Sequence, residues 1–209
     1  MIDSEKVKSE SNKRLSSLGI TTNDGLPVLE GLSELSPKSS KDVASRAMII
    51  TQLIGIAFDA PAKKLHSNLK KYGLLDDLSQ GESVILSANK PSPQNKIDLE
   101  WQAECMQSFA WCFNLADINL LSHCDDELYS KFPSPHVDPG TFIKSVNLRP
   151  FNDIYQQADV YYRLHWAAKQ AKYENTAFPV SESIIRERRR ALDWVIGVED
   201  NWDEVPSDT

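Results

Sequence analysis

Between residues 150 and 172 the chain carries apolar side chains around most of a helical circumference: Ile154, Tyr155, Ala158, Val160, Tyr161, Tyr162, Leu164, Trp166 and Ala168. A helix that is apolar on several sides must be packed on several sides, so the rest of the chain has to supply a shell around it. Two further segments have the helical period. Residues 96–116 place Trp101, Cys105, Phe109, Cys112 and Phe113 on one arc, and residues 181–196, closed by Gly197, place Ile184, Ile185, Ala191, Leu192, Val195 and Ile196 on another. Upstream, the pattern predicts helices over 3–18 and 41–58, a short one between Pro61 and Gly73, and one capped by the Ser79–Glu82 box. Residues 89–95 read as a turn with prolines, and 123–148 as a short helical turn with a surface loop. No alternating strand pattern and no internal repeat is present. The expected fold is all-α: a single compact multi-helix domain with a docked C-terminal tail. Residues 1–40 form an N-terminal helix and packed loop, and 41–209 the main helical domain, the two making one structural unit. Leu26, Val28, Leu29, Leu32 and Leu35 are expected to hold the 21–40 loop onto the body.

Composition narrows the partners. Acidic residues number 30 against 23 Lys and Arg, the formal charge is −7 and the pI is near 5.1. A nucleic-acid binder needs a cationic surface, so none is expected as partner. No apolar run approaches the roughly 18 residues that span a bilayer, and the start, Met1-Ile2-Asp3-Ser4-Glu5-Lys6, is too polar for a signal peptide. Three cysteines at irregular spacing suit a reducing compartment. The expectation is a cytoplasmic protein, monomeric or weakly dimeric, without membrane contact.

Charge set against the helical period singles out several residues. In 181–196, Arg188 falls in the middle of the apolar arc, whereas Arg186, Arg190 and Asp193 fall opposite, on the side expected to meet water. A buried guanidinium needs carboxylates and acceptors. Glu104, at the flank of the 96–116 helix, is a candidate partner. Asp159 and Arg163 are four residues apart on the polar strip of the 150–172 helix, with Gln156 and Gln170. His165 lies on the apolar side, as a core residue. In the acidic tail, Trp202 is expected to dock and bring Asp203 or Asp208 near Arg188 or Arg189. Glu104, Asp159, Arg163, Arg188 and Asp203 thus form a candidate network, either a ligand site or a structural staple, with Trp111, Trp166, Trp194 and Trp202 as anchors.

The sequence carries none of the familiar reactive motifs. There is no phosphate-cradling glycine loop and no nucleophile elbow. Cys105 and Cys112 lie in an aromatic stretch and read as core residues, so no metal and no cofactor is expected. Cys124 between His123 and Asp125 is the only adjacent trio of nucleophilic type, and sequence neighbours rarely form catalytic geometry. No catalytic residue is assigned.

Several motifs resemble one family. Trp101-Gln102-Ala103-Glu104 with Phe109-Ala110-Trp111, Ala158-Asp159 with Tyr162-Arg163 and His165-Trp166-Ala167, Arg186-Glu187-Arg188-Arg189 with Ala191-Leu192 and Trp194, and the closing Trp202-Asp203 and Asp208-Thr209 are similar to the motifs of the bacterial domain of unknown function 4272. Arg14 and Arg46 fit its looser, earlier part. Gln102 stands where that family usually has Arg. The resemblance implies an intact domain and assigns no activity. Two functions follow from the residues themselves: a non-enzymatic interaction protein binding a basic protein partner, for which a toxin-neutralising immunity protein is one concrete form, or an enzyme or small-ligand binder using a charged Glu/Asp/Arg cleft.

Overall fold

A computed structural model describes residues 2–88 and 91–206. Among the described residues there are nine α-helices and no strand: α1 (Ser4–Ser17), α2 (Ser40–Ala57), α3 (Ala62–Tyr72), α4 (Gln80–Ser87), α5 (Pro93–Trp101), α6 (Ala103–Cys112), α7 (Gly140–Ser145), α8 (Phe151–Tyr173) and α9 (Glu182–Ile196). Three-residue or four-residue 3-10 turns lie at Leu75–Asp77, Leu128–Lys131 and Trp202–Glu204. The fold is all-α.

Local chemistry sets most helix ends. Ser79 and Glu82 form the capping box that starts α4, the Glu82 carboxylate accepting from Ser79 N at 2.8 Å. Ser39 and Asp42 do the same for α2. Gly73 and Gly197 close α3 and α9 in the left-handed conformation. Gly197 has a second reason to be glycine. A Cβ there would come within 2.1 Å of the Ser36 backbone, because Ser36 N donates to Gly197 O and Lys38 N to Val195 O. Pro61 and Pro150 stand at the N-cap positions of α3 and α8 rather than in their first turns.

The long expected helix over 96–116 is two helices. Gln102 separates α5 from α6 with ψ near −10°, and its N–H closes a tight turn on Leu99 O. The two halves have different neighbours, α5 lying against α2 and α6 mainly against α9. The break lets each apolar face reach its own partner.

Two helices are central, not one. α8 packs on α9 and α1, and α2 is buried along nearly its whole length, from Val43 to Ala57. The polar residues that made α2 read as amphipathic are covered and find partners, although Arg46 Nε is left without one. Thr51 Oγ1 donates to Ala47 O, Gln52 Nε2 to the Pro135 carbonyl, and Arg46 to Glu82. The 20–39 segment lies over α8, with Leu26, Leu29 and Leu35 buried, Val28 half-buried and Leu32 exposed. This cover buries Asp159 and Arg163, which the period alone leaves outside on the polar strip of α8, whereas Gln156 and Gln170 of that strip stay half-buried.

The tail is docked. Trp202 is 2% exposed and packs against Phe109 and Trp194 at centroid distances of 6.1 and 5.7 Å. The guanidinium groups of Arg46 and Arg190 stand 5.4 and 4.4 Å from its ring.

Candidate functional site

Arg188 sits between Ile184 and Leu192 on the buried face of α9 and is 1% exposed. Its Nε donates to Glu104 Oε2 at 2.8 Å, and Nη2 is also 2.8 Å from that oxygen. The remaining donors go to backbone: Nη1 to Asn119 O at 2.6 Å and Nη2 to Ser122 O at 3.0 Å, with the Tyr161 hydroxyl 3.2 Å from Nη1. The second oxygen of Glu104 accepts from Cys124 N at 3.0 Å. One turn along α6, Gln107 continues the pattern, donating to Asp117 O and accepting from Asp125 N. Burying an ion pair carries a large desolvation cost, offset only when every remaining donor and lone pair finds a partner. Here those partners are the carbonyls and amides of the 117–125 loop, so the pair holds that loop in one shape.

The loop presents carboxylates. Asp117, Asp125, Asp126 and Glu127 are exposed, and none is in ion-pair range of a cation among the described residues. Tyr129, just beyond, is half exposed.

The other residues singled out from the sequence do not join this centre. Asp159 and Arg163 form a separate buried pair, Nε to Oδ2 and Nη2 to Oδ1, both at 2.8 Å, with Nη2 also donating to Pro27 O at 3.1 Å. They belong to the face covered by the 20–39 segment. Asp203 reaches no arginine. The turn at Trp202–Glu204 points the indole inward and carries Asp203 to the start of α4, where its carboxylate accepts from Gly81 N at 2.8 Å. Asp208 lies outside the described residues. Trp194 and Trp202 are buried, whereas Trp111 and Trp166 are half-buried, Trp111 under the Arg149 guanidinium at 4.6 Å.

Besides Arg186 and Arg190 on the buried Glu187, at 2.9 and 3.7 Å, two charged groupings were not assembled from the sequence. Arg46 pairs with the capping-box Glu82 at 2.6 Å and donates to Asp77 O. Arg189 Nε donates to Asp193 Oδ2 at 2.9 Å, and its Nη1 lies 3.1 Å from His165 Nδ1. The four-residue spacing of Arg189 and Asp193, shared with Asp159 and Arg163, is the signal for the second. Asp193, placed on the water side by the period, is 2% exposed, because the 20–39 segment and the tail come over that side.

A guanidinium only donates, so His165 Nδ1 is the acceptor and its proton is on Nε2, which donates to Glu182 at 3.3 Å. Burial and then the Arg189 charge push His165 down to about 4. Burial, opposed by Arg189, pushes Asp193 up to about 7. The two shifts act on stability with opposite signs. The folded chain keeps a proton on Asp193 that the unfolded chain sheds above its ordinary value of 3.8, so that contribution falls as pH rises from about 4 to 7. The folded chain refuses a proton on His165 that the unfolded chain takes below its ordinary 6.5, so that contribution rises over nearly the same interval. Each slope approaches about 1.4 kcal/mol per pH unit at most, and together they nearly cancel. Asp193→Asn is expected to remove one of them: relative to wild type, its unfolding free energy in urea should climb between pH 4.5 and 6.5. A constant difference between the two proteins across that range would contradict the assignment.

The cysteines are not poised as nucleophiles. Cys105 and Cys112 are buried with raised thiol pKa values, and burial with the neighbouring Glu104 carboxylate pushes Cys124 up to about 11. Among the described residues no group of His, Cys, Asp and Glu has the arrangement of a metal site, and no helix is long and apolar enough to cross a membrane.

No curated protein and no solved structure matches the chain. One family does, over residues 7–205 of the 209, a span that takes in the Glu104–Arg188 pair, the acidic loop and the docked Trp202. The chain belongs to the family described as domain of unknown function (DUF4272).

Proposed function

We propose that this chain is a non-enzymatic interaction protein whose acidic loop, residues 117–129, receives a basic protein partner. The observation that carries this reading is the direction of the buried hydrogen bonds. Arg188, Glu104 and Gln107 all act on the backbone of that loop. A loop fixed in advance loses little entropy on association, and unpaired carboxylates on it steer a cationic surface into register.

The distribution of arginine supports the same reading. Of eight arginines, Arg46, Arg163, Arg188 and Arg189 are buried with acidic partners. The arginine-rich α9 is therefore not a cationic face, and acidic residues outnumber basic ones on the outside of the described chain. Glu104 and Arg188 are sealed from solvent, which favours action through the loop over contact with a substrate. A toxin-neutralising immunity protein is a concrete form of such a binder.

The test is affinity capture from the native host at low ionic strength, with wild type beside the triple variant Asp125→Asn, Asp126→Asn, Glu127→Gln. Wild type is expected to retain one basic protein in stoichiometric amount, released as salt rises toward about 0.5 M, where the screening length shrinks to a few ångströms. The variant should lose it. Capture of an acidic partner, of no partner, or of the same partner by the variant would overturn the proposal.

A further inference from the structure

A second site lies on the opposite flank of α9 from the loop-holding pair. A cleft of about 320 Å3 opens between the 20–39 segment, α8, α9 and the tail, bordered by Leu29, Glu30, Tyr162, Arg189, Asp193, Val198 and Pro206. That volume suits a small organic molecule, and a mainly apolar lining with a few polar groups is the usual character of such sites. One polar group is left incomplete. Asp193 is buried, Arg189 occupies its Oδ2, and Oδ1 is buried with no hydrogen-bond partner. A buried carboxylate oxygen without a donor is costly, so a ligand that supplies one gains from it. Glu30 places a second carboxylate on the same cleft.

We infer that this cleft binds a small primary amine carried on an apolar body, the ammonium donating to Asp193 Oδ1 beside Glu30 and the body lying against Tyr162, Leu29 and Val198. An ammonium has three donors and no acceptor, which matches an orphan acceptor flanked by a second carboxylate. A carboxylate ligand would meet Glu30 and Asp193, and the Arg189 guanidinium on the same cleft is already engaged by Asp193. Among the described residues the charged and titratable groups around Asp193 are Arg189 from its own helix, Tyr162 and His165 from α8, and Glu30 from the 20–39 segment. Burial and the Arg189 charge hold His165 neutral, and burial holds a proton on Asp193 that the bound ammonium displaces.

The experiment titrates the full chain with 2-phenylethylamine and with its uncharged isostere 2-phenylethanol, followed by calorimetry at pH 7.5 and 5.5. The amine is expected to saturate at one site and to bind at least about tenfold more tightly than the alcohol, a difference of about 1.4 kcal/mol. Its affinity should fall about tenfold or more at pH 5.5, where the carboxyl holds its proton. Asp193→Asn should abolish both the preference and the pH dependence. Glu30→Gln, at an exposed position, should weaken the amine a few-fold and keep the pH dependence, which decides the matter even if Asp193→Asn fails to fold. No binding of the amine, equal binding of amine and alcohol, or unchanged affinity in the Glu30→Gln variant would overturn the inference. None of these outcomes depends on the protein partner proposed above.

Discussion

Arg188→Ala is expected to destabilise the fold by about 3–5 kcal/mol, because Glu104 is left charged and buried without its counter-ion. Arg186→Ala should cost far less, because its side chain is 37% exposed and its partner Glu187 keeps Arg190 as a counter-ion at 3.7 Å. The loss has a location as well as a size. Asn119 and Ser122 lose their donors, and Cys124 N is left bonding to a carboxylate that has lost its counter-ion. Amide exchange in the 117–125 loop should accelerate far more than in α2. A double variant, Arg188→Met with Glu104→Leu, separates packing from positioning. Replacing a buried pair by apolar groups of similar volume can restore stability, yet the loop amides should still exchange fast and partner capture should still fail. Equal melting temperatures for the Arg188 and Arg186 variants would contradict the role given to the pair.

Removing the tail after Gly197 is expected to cost about as much, and Trp202→Ala to reproduce most of it, at about 3–5 kcal/mol for loss of a fully buried tryptophan. The indole fills the space between Phe109 and Trp194 and offers its faces to Arg46 and Arg190, contacts each contributing about 0.5–2 kcal/mol. Arg190 Nη2 also donates to Trp202 O, and Asp203 accepts from the first turn of α4. The tail therefore ties α2, α4, α6 and α9 together at one point. Trp202→Phe should fall between wild type and alanine. A truncated chain that melts at the wild-type temperature would show that the contacts contribute nothing.

The helical period and the capping residues made the all-α class legible, with most helix ends and the two glycine stops, because those signals are local. Trp202 was legible because a large indole in a polar tail has few stable places to go. What the period cannot show is which polar face another segment will cover. Asp193 and the Asp159–Arg163 pair read as outward on their helices and lie inside, under the 20–39 segment and the tail. The break at Gln102 was hidden for the same reason: both halves continue one apolar arc, and only their separate neighbours, α2 and α9, divide it. Within the candidate site, Arg188 and Glu104 stand out from charge set against the period. Their function in holding the 117–125 loop depends on backbone carbonyls and amides, which leave no mark in side-chain identity.

Arginines that face inward hold structure while the outer surface stays acidic. Arginine footprinting of the native protein with phenylglyoxal, read residue by residue by mass spectrometry, tests this most directly. Arg186 should be modified, with Arg46, Arg163, Arg188 and Arg189 protected until the chain is unfolded. Modification of Arg188 in the native protein at the rate of Arg186 would contradict it.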